Sequence, residues 1–178
     1  MKHFVTAYIR GCATCRSNKT NTWPNKPPLF PITPEPDALP FQTIAIDWIT
    51  KLPRSDGYDS IITVTDHDCT KAMIFIPCKE TMGTEEMVEQ YIRNIVVHYG
   101  LPNKIISDRD PRLTADLFKE LCHTFGVKRN MSTAYHPQTD GQSKRTNQTL
   151  EMFLRIFCNH QQNNWAKLLL IAHYTMNA

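Results

Sequence analysis

The spacing of apolar positions divides the chain before any motif is read. In "FQTIAIDWIT", Phe41, Ala45 and Ile49 fall on one face and Ile44, Ile46 and Trp48 on the other, which predicts a strand buried on both sides. "RSDGY" and "HDCTK" carry turn chemistry and set off two more strands, "DSIITVTD" and "AMIFIPC", so an antiparallel meander is expected. The period then becomes helical. Thr84, Glu85 and Glu86 make a helix start, and Met87, Val88, Tyr91, Ile92, Ile95 and Val96 form one stripe that Gly100 and Pro102 stop. "KIIS" is a short buried strand, and a helix from Thr114 presents Leu117, Phe118, Leu121, Cys122 and Phe125 before Gly126. "VKRNMS" is a last strand, and a long helix from about Thr139 to His160 turns Leu150, Phe153, Leu154 and Phe157 inward. The order β-β-β-α-β-α-β-α predicts an α/β domain over residues 41–178.

Two segments precede it. Residues 24–40 hold seven of the twelve prolines, and a residue with fixed φ and no N–H favours an extended linker. In residues 1–23, Phe4, Val5, Tyr8 and Ile9 have helical spacing up to Gly11, and Cys12-x-x-Cys15 follows. Such a pair supplies half of a tetrahedral zinc site; with His3 alone upstream the coordination stays incomplete, and a pair of reduced thiols is the plainer reading.

Composition narrows the picture only a little. Twenty Lys and Arg against 17 Asp and Glu leave a net charge of +3, which permits an anionic partner without demanding one. Six scattered cysteines and no cationic-then-apolar leader point to a reducing, intracellular compartment, and no apolar run approaches the roughly 20 residues that span a bilayer.

Two acids stand out. Asp47 interrupts an otherwise apolar strand, where a carboxylate is costly unless paired or bound to metal, and Asp108 ends "KIIS". Separately they read as a satisfied core Asp and an Asx turn before Pro111. On adjacent strands about 4.8 Å apart they would converge on one divalent cation. Lys104, Arg109, Arg112, Lys128 and Arg129 read as ordinary surface, Trp48 and Trp165 as core, and the histidines show no ligand spacing.

"IDWIT", "GLPNKIISDRDPRLTADLFKELC", "STAYHPQTDGQSKRTNQTLEMFLR" and "NNWAKLLLIAHYTMNA" resemble the integrase of gypsy-type (Metaviridae-like) long-terminal-repeat retrotransposons, above all in "AYHPQTDGQ". The resemblance implies an RNase H-like core of the retroviral-integrase type, a mixed five-stranded sheet flanked by helices. It also implies an Asp, Asp, 35, Glu triad that holds two Mg²⁺ or Mn²⁺ ions while element DNA ends are trimmed and joined to target DNA. By the same likeness Asp47 and Asp108 are the first two acids. Thirty-five residues lie between Asp108 and position 144, where the family has glutamate and this chain has Lys144. An ammonium group donates hydrogen bonds but cannot ligate a cation, so impaired catalysis is expected. Asp140 and Glu151 share that helix face but sit about 6 and 10 Å away along the axis, too far to substitute.

The resemblance further implies DNA as partner, with RNA as a second candidate, a homo-oligomer, and the nucleus as the place of action. Tyr135 and Gln138 fall in the loop the family uses near DNA ends, and Lys144 and Arg145 would meet phosphates. Cys12 and Cys15 match the cysteines of the family's His-His-Cys-Cys zinc module, whose histidines would lie upstream of Met1, so a truncated module that holds no zinc is expected. A truncated C-terminus is expected as well. The competing reading is a non-catalytic nucleic-acid-binding module or a decayed element fragment.

Overall fold

The computed structural model describes residues 2–14, 37–131 and 141–178. Cys15, Tyr135, Gln138, Asp140 and most of the proline-rich stretch lie outside them. Helix α1 (Lys2–Gly11) forms as its spacing predicts, and its Phe4 and Tyr8 are exposed.

The meander is present as β1 (Thr43–Ile49), β2 (Ser60–Asp66) and β3 (Met73–Cys78), each antiparallel to the next. Short turns permit only that arrangement. Helix α2 (Thr84–Tyr91) continues through a π-helical stretch, Ile92–Val96, and a closing turn, Val97–Tyr99, before Gly100, whose φ of 82° suits glycine at a helix stop. This rod carries the chain back across the sheet, so β4 (Lys104–Ser107) runs parallel to β1. Helices α3 (Pro111–Thr114) and α4 (Asp116–Thr124) make the second crossover, to β5 (Lys128–Met131), parallel to β4. The sheet order is β3-β2-β1-β4-β5, with β1 at its centre. Helices α5 (Gly141–Phe157) and α6 (Trp165–Asn177) complete the chain.

The mixed five-stranded sheet flanked by helices is the expected one. One face of the sheet packs Ile44, Ile46, Ile62 and Val64 against Met87, Tyr91, Ile95, Leu113 and Phe118. The other packs Ile49, Ile61 and Phe75 against Leu150, Leu154, Trp165, Leu169 and Ala172. Strand β1 is therefore covered on both sides, as its doubly apolar sequence requires.

Several expectations need correction. Phe41 stands before β1 and joins the first cluster rather than the face of Ile49. The predicted helix from Thr114 is two helices, broken at Ala115, whose ψ of 148° is extended. Leu117 and Phe125 lie outside the packed stripe of α4, and Phe157 is exposed and leans on the ring of Phe153 at 4.6 Å. Ile92 is exposed where the chain enters the wider π turn, which carries it off the buried line of Tyr91 and Ile95. Helix α6 was absent from the predicted order altogether.

Candidate active site

Parallel pairing of β1 with β4 ends at Ile46 opposite Ser107, so Asp47 and Asp108 are the next residue on each of two neighbouring strands. Both are half-buried. Parallel strands place their C-terminal ends at the same edge of a sheet, where open α/β folds keep their sites. The topology thus juxtaposes the two predicted acids, although 60 residues separate them in sequence.

Asp47 is held by neighbours that sequence reading missed. One carboxylate oxygen accepts the backbone N–H of Trp48 at 2.8 Å, and the other accepts from the side-chain amide of Asn147 at 2.9 Å. Asn147 Oδ1 in turn accepts from the hydroxyl of Thr63 at 2.8 Å, and the same hydroxyl lies 3.2 Å from the carbonyl oxygen of Asp47, its cross-strand partner. Thr63 and Asn147 are both buried. Helix α5 presents Asn147 because Leu150 and Leu154 are drawn onto the sheet, and residues three and four apart share a helix face. Within the run "SKRTNQT" residue type alone does not distinguish Asn147 from its polar neighbours.

Asp108 begins a tight, self-bonded loop. Its carboxylate accepts the N–H of Asp110 at 3.1 Å, the Asx turn expected before a proline. Asp110 caps α3 by accepting the N–H of Arg112 at 2.9 Å and clasps the guanidinium through both oxygens, at 2.9 and 2.8 Å. That guanidinium lies over the indole of Trp48, 3.7 Å from its centroid. Arg112, read from sequence as ordinary surface, is instead largely buried and ties the loop after Asp108 to the residue after Asp47. Arginine suits this place because its planar group both stacks and forks onto a carboxylate.

A pH dependence follows. Burial by itself raises the Asp110 carboxyl, but the hydrogen bonds and charge of Arg112 outweigh it and hold it below the ordinary value of 3.8. A depressed folded pKa means stability that is complete above the unfolded value and lost as the pH falls through the folded one. Asp110→Asn is therefore expected to lower the melting temperature at pH 7 and to lower it much less near pH 3. An equal effect at both pH values would show that the ion pair does not act on stability.

Lys144 and Arg145 are exposed in the first turns of α5. Lys144 stands one turn, about 4.5 Å along the axis, before Asn147, the residue that touches Asp47. Glu151 faces a cleft of about 580 Å³ beyond Ile49 and Thr50, and pairs with Arg155 at 3.0 Å. Among the described residues no group of three or more His, Cys, Asp and Glu side chains stands where it would hold a metal ion. Hard divalent cations need oxygen donors, so Asp47 and Asp108 suit one ion, and the set is one carboxylate short for two. Cys12 is half-buried, and Cys15, the other thiol of its motif, lies outside the described residues.

No protein-family model matches the chain. It is 32% identical over 173 residues, 97% of its length, to the transposon Tf2-3 and Tf2-4 polyproteins of Schizosaccharomyces pombe (strain 972). It spans 13% of the length of those relatives. A cryo-EM structure of the simian T-cell lymphotropic virus intasome, in complex with the PP2A regulatory subunit B56 gamma, contains a chain of the same fold. Its TM-score is 0.66 at 17% identity, over 98% of this chain and 60% of that one. The HTLV-2 integrase catalytic core domain in complex with magnesium (trimeric form) aligns with a TM-score of 0.52 at 19% identity, over 66% of this chain and 71% of that one. The chain is thus a homologue of Tf2-type retrotransposon polyproteins, within the gypsy-type family, over a segment with the fold of a retroviral integrase catalytic core.

Proposed function

We propose that this segment is the catalytic core of a retrotransposon integrase that still engages DNA but has lost most of its capacity to process and join DNA ends. The observation that carries the reading is the place of Lys144, one helical turn from the residue that touches Asp47. With Asp47 and Asp108 as the first two acids, an ammonium group stands where a third carboxylate is required, and the formal charge of the three positions falls from −3 to −1.

When bound, a pair of divalent ions supplies activation of the attacking oxygen and stabilisation of the leaving one. The protein's own part is to present oxygens and to orient DNA. Asp47 and Asp108 offer the oxygens, Asn147 and the Trp48 N–H aim those of Asp47, and the Arg112 stack sets the loop after Asp108. Lys144 and Arg145 offer positive charge to backbone phosphates. The HTLV-2 core is described in trimeric and dimeric forms, which supports an oligomer as the acting state here as well. In the same reading residues 1–23 are the end of a zinc module, residues 24–40 a linker, and the nucleus the place of action.

Retention of DNA contact is the part most readily measured. Fluorescence anisotropy with a short element-end duplex is expected to show binding that weakens linearly as log salt rises. Lys144→Ala and Arg145→Ala should each reduce that slope by about one and weaken binding similarly across sequences. Absence of binding at low salt, or slopes unchanged in both variants, would contradict a DNA-engaging surface here.

A further inference from the structure

The contacts of Asn147 carry more than orientation. We propose that Asn147 turns its amide over to supply a neutral oxygen as the third ligand of a single divalent cation at Asp47 and Asp108, with Thr63 as the hydroxyl on which the amide swivels. This rests on the reading of Asp47 and Asp108 as metal-binding carboxylates.

An amide has a donor end and an acceptor end of nearly equal shape, and a half-turn exchanges them. In the arrangement described, the donor end meets the Asp47 carboxylate and the acceptor end meets Thr63. That setting suits an anionic carboxylate, which accepts the N–H. Once a cation neutralises Asp47, an N–H pointing at the same place becomes unfavourable and an oxygen becomes favourable.

The turned amide leaves no buried polar group stranded. A hydroxyl is both donor and acceptor, so Thr63 can accept from the amide N–H that arrives. Its own proton then goes to the Asp47 carbonyl oxygen, already 3.2 Å away. Both settings are satisfied, which avoids the penalty of an unmade buried hydrogen bond.

Distance points the same way. Neighbouring oxygens at about 2.1 Å from an octahedrally coordinated Mg²⁺ are about 3.0 Å apart. The Asn147 amide stands 2.9 Å from the Asp47 oxygen, a separation that fits two ligands of one ion without moving the backbone. Asn side-chain carbonyls are accepted ligands for hard cations, whereas Lys144 can only repel one. Two carboxylates, one neutral oxygen and a nearby ammonium then suit one ion rather than two.

Titration of the whole chain with Mn²⁺, read as loss of the free-ion paramagnetic resonance signal, tests this. One ion per chain is expected, displaced by Mg²⁺ and lost in both Asp47→Asn and Asp108→Asn. Asn147→Ala should weaken binding about a hundredfold or more, at or beyond the upper end of what losing a residue that only supports a ligand costs. Asn147→Asp preserves size and exchanges the amide for a charged oxygen, and should tighten it about tenfold. It also guards against an alanine variant that fails to fold, because a protein that used only the Asn147 N–H would be weakened by losing that donor. Binding that needs Asp47 and Asp108 but is unchanged in the alanine variant, or weakened in the aspartate one, overturns the ligand role alone. No Mn²⁺ binding by the unaltered chain overturns the carboxylate reading together with it.

Discussion

Lys144→Glu is expected to raise affinity for Mn²⁺ by about two orders of magnitude and to increase the stoichiometry from one ion to two. The charges set the scale. A unit charge about 4 Å from a divalent ion in a solvent-like medium is worth about 2 kcal/mol, and the exchange removes one such repulsion and adds one such attraction. The sum of about 4 kcal/mol corresponds to nearly three orders of magnitude, and the flexible four-carbon stem of a lysine reduces the first half of it. The exposed position means that the fold should tolerate the change, since surface substitutions usually stay within about 0.5 kcal/mol. Calorimetric titration of both proteins decides the matter, with their melting temperatures as control. Equal affinities would show that position 144 does not face the ion.

Trp165→Ala should be the most damaging single substitution outside the site, at about 3–5 kcal/mol, the range for emptying a buried aromatic position. Trp165 is only 2% exposed, among Ile49, Leu154 and Leu169. Its indole N–H donates to the carbonyl of Pro53 at 2.6 Å, and the adjacent N–H of Ala166 donates to the buried hydroxyl of Ser55 at 3.1 Å. The β1–β2 loop therefore seats the start of α6. At the other end of α6, the Asn177 amide both accepts from and donates to the backbone of Met73, at 2.7 and 2.8 Å, which covers the open edge strand β3. Loss of Trp165 thus loosens a helix that closes one face and one edge of the sheet. Chemical denaturation should show the loss as a lowered midpoint with unchanged slope. A loss below about 1 kcal/mol would mean that α6 does not pack as described.

Much of this architecture was readable in the chain because its strands and most of its helices carry their own periodicity. The doubly apolar β1, the two turn segments and the stripe of α2 each announce one element, and their order leaves few topologies. Helix α6 escaped for a local reason. Leu168, Leu169, Leu170 and Ile171 are consecutive and mark no single face, and Asn164 gives the helix no side-chain cap. The break at Ala115 and the π turn at Ile92 are likewise set by packing on the sheet rather than by a breaker residue.

The candidate site was legible in part. Asp47 and Asp108 declared themselves as carboxylates on or at the end of apolar strands, and the spacing of adjacent strands paired them before the family likeness did so. Asn147, Thr63 and Arg112 could not be found that way. Each is an ordinary polar residue whose partner lies on another element, and only the register of β1 with β2 and the seating of α5 bring Thr63 and Asn147 together. A polar residue one turn after the expected acid, and followed at three and seven positions by buried leucines, was the one available hint for Asn147.

The most direct test is cleavage of element-end DNA in Mg²⁺ or Mn²⁺ by the chain bearing Lys144 and by its Lys144→Glu variant. Little or no end processing or strand transfer is expected with lysine, and clear activity with glutamate that Asp47→Asn or Asp108→Asn abolishes. Robust activity from the lysine protein would overturn the role assigned to position 144.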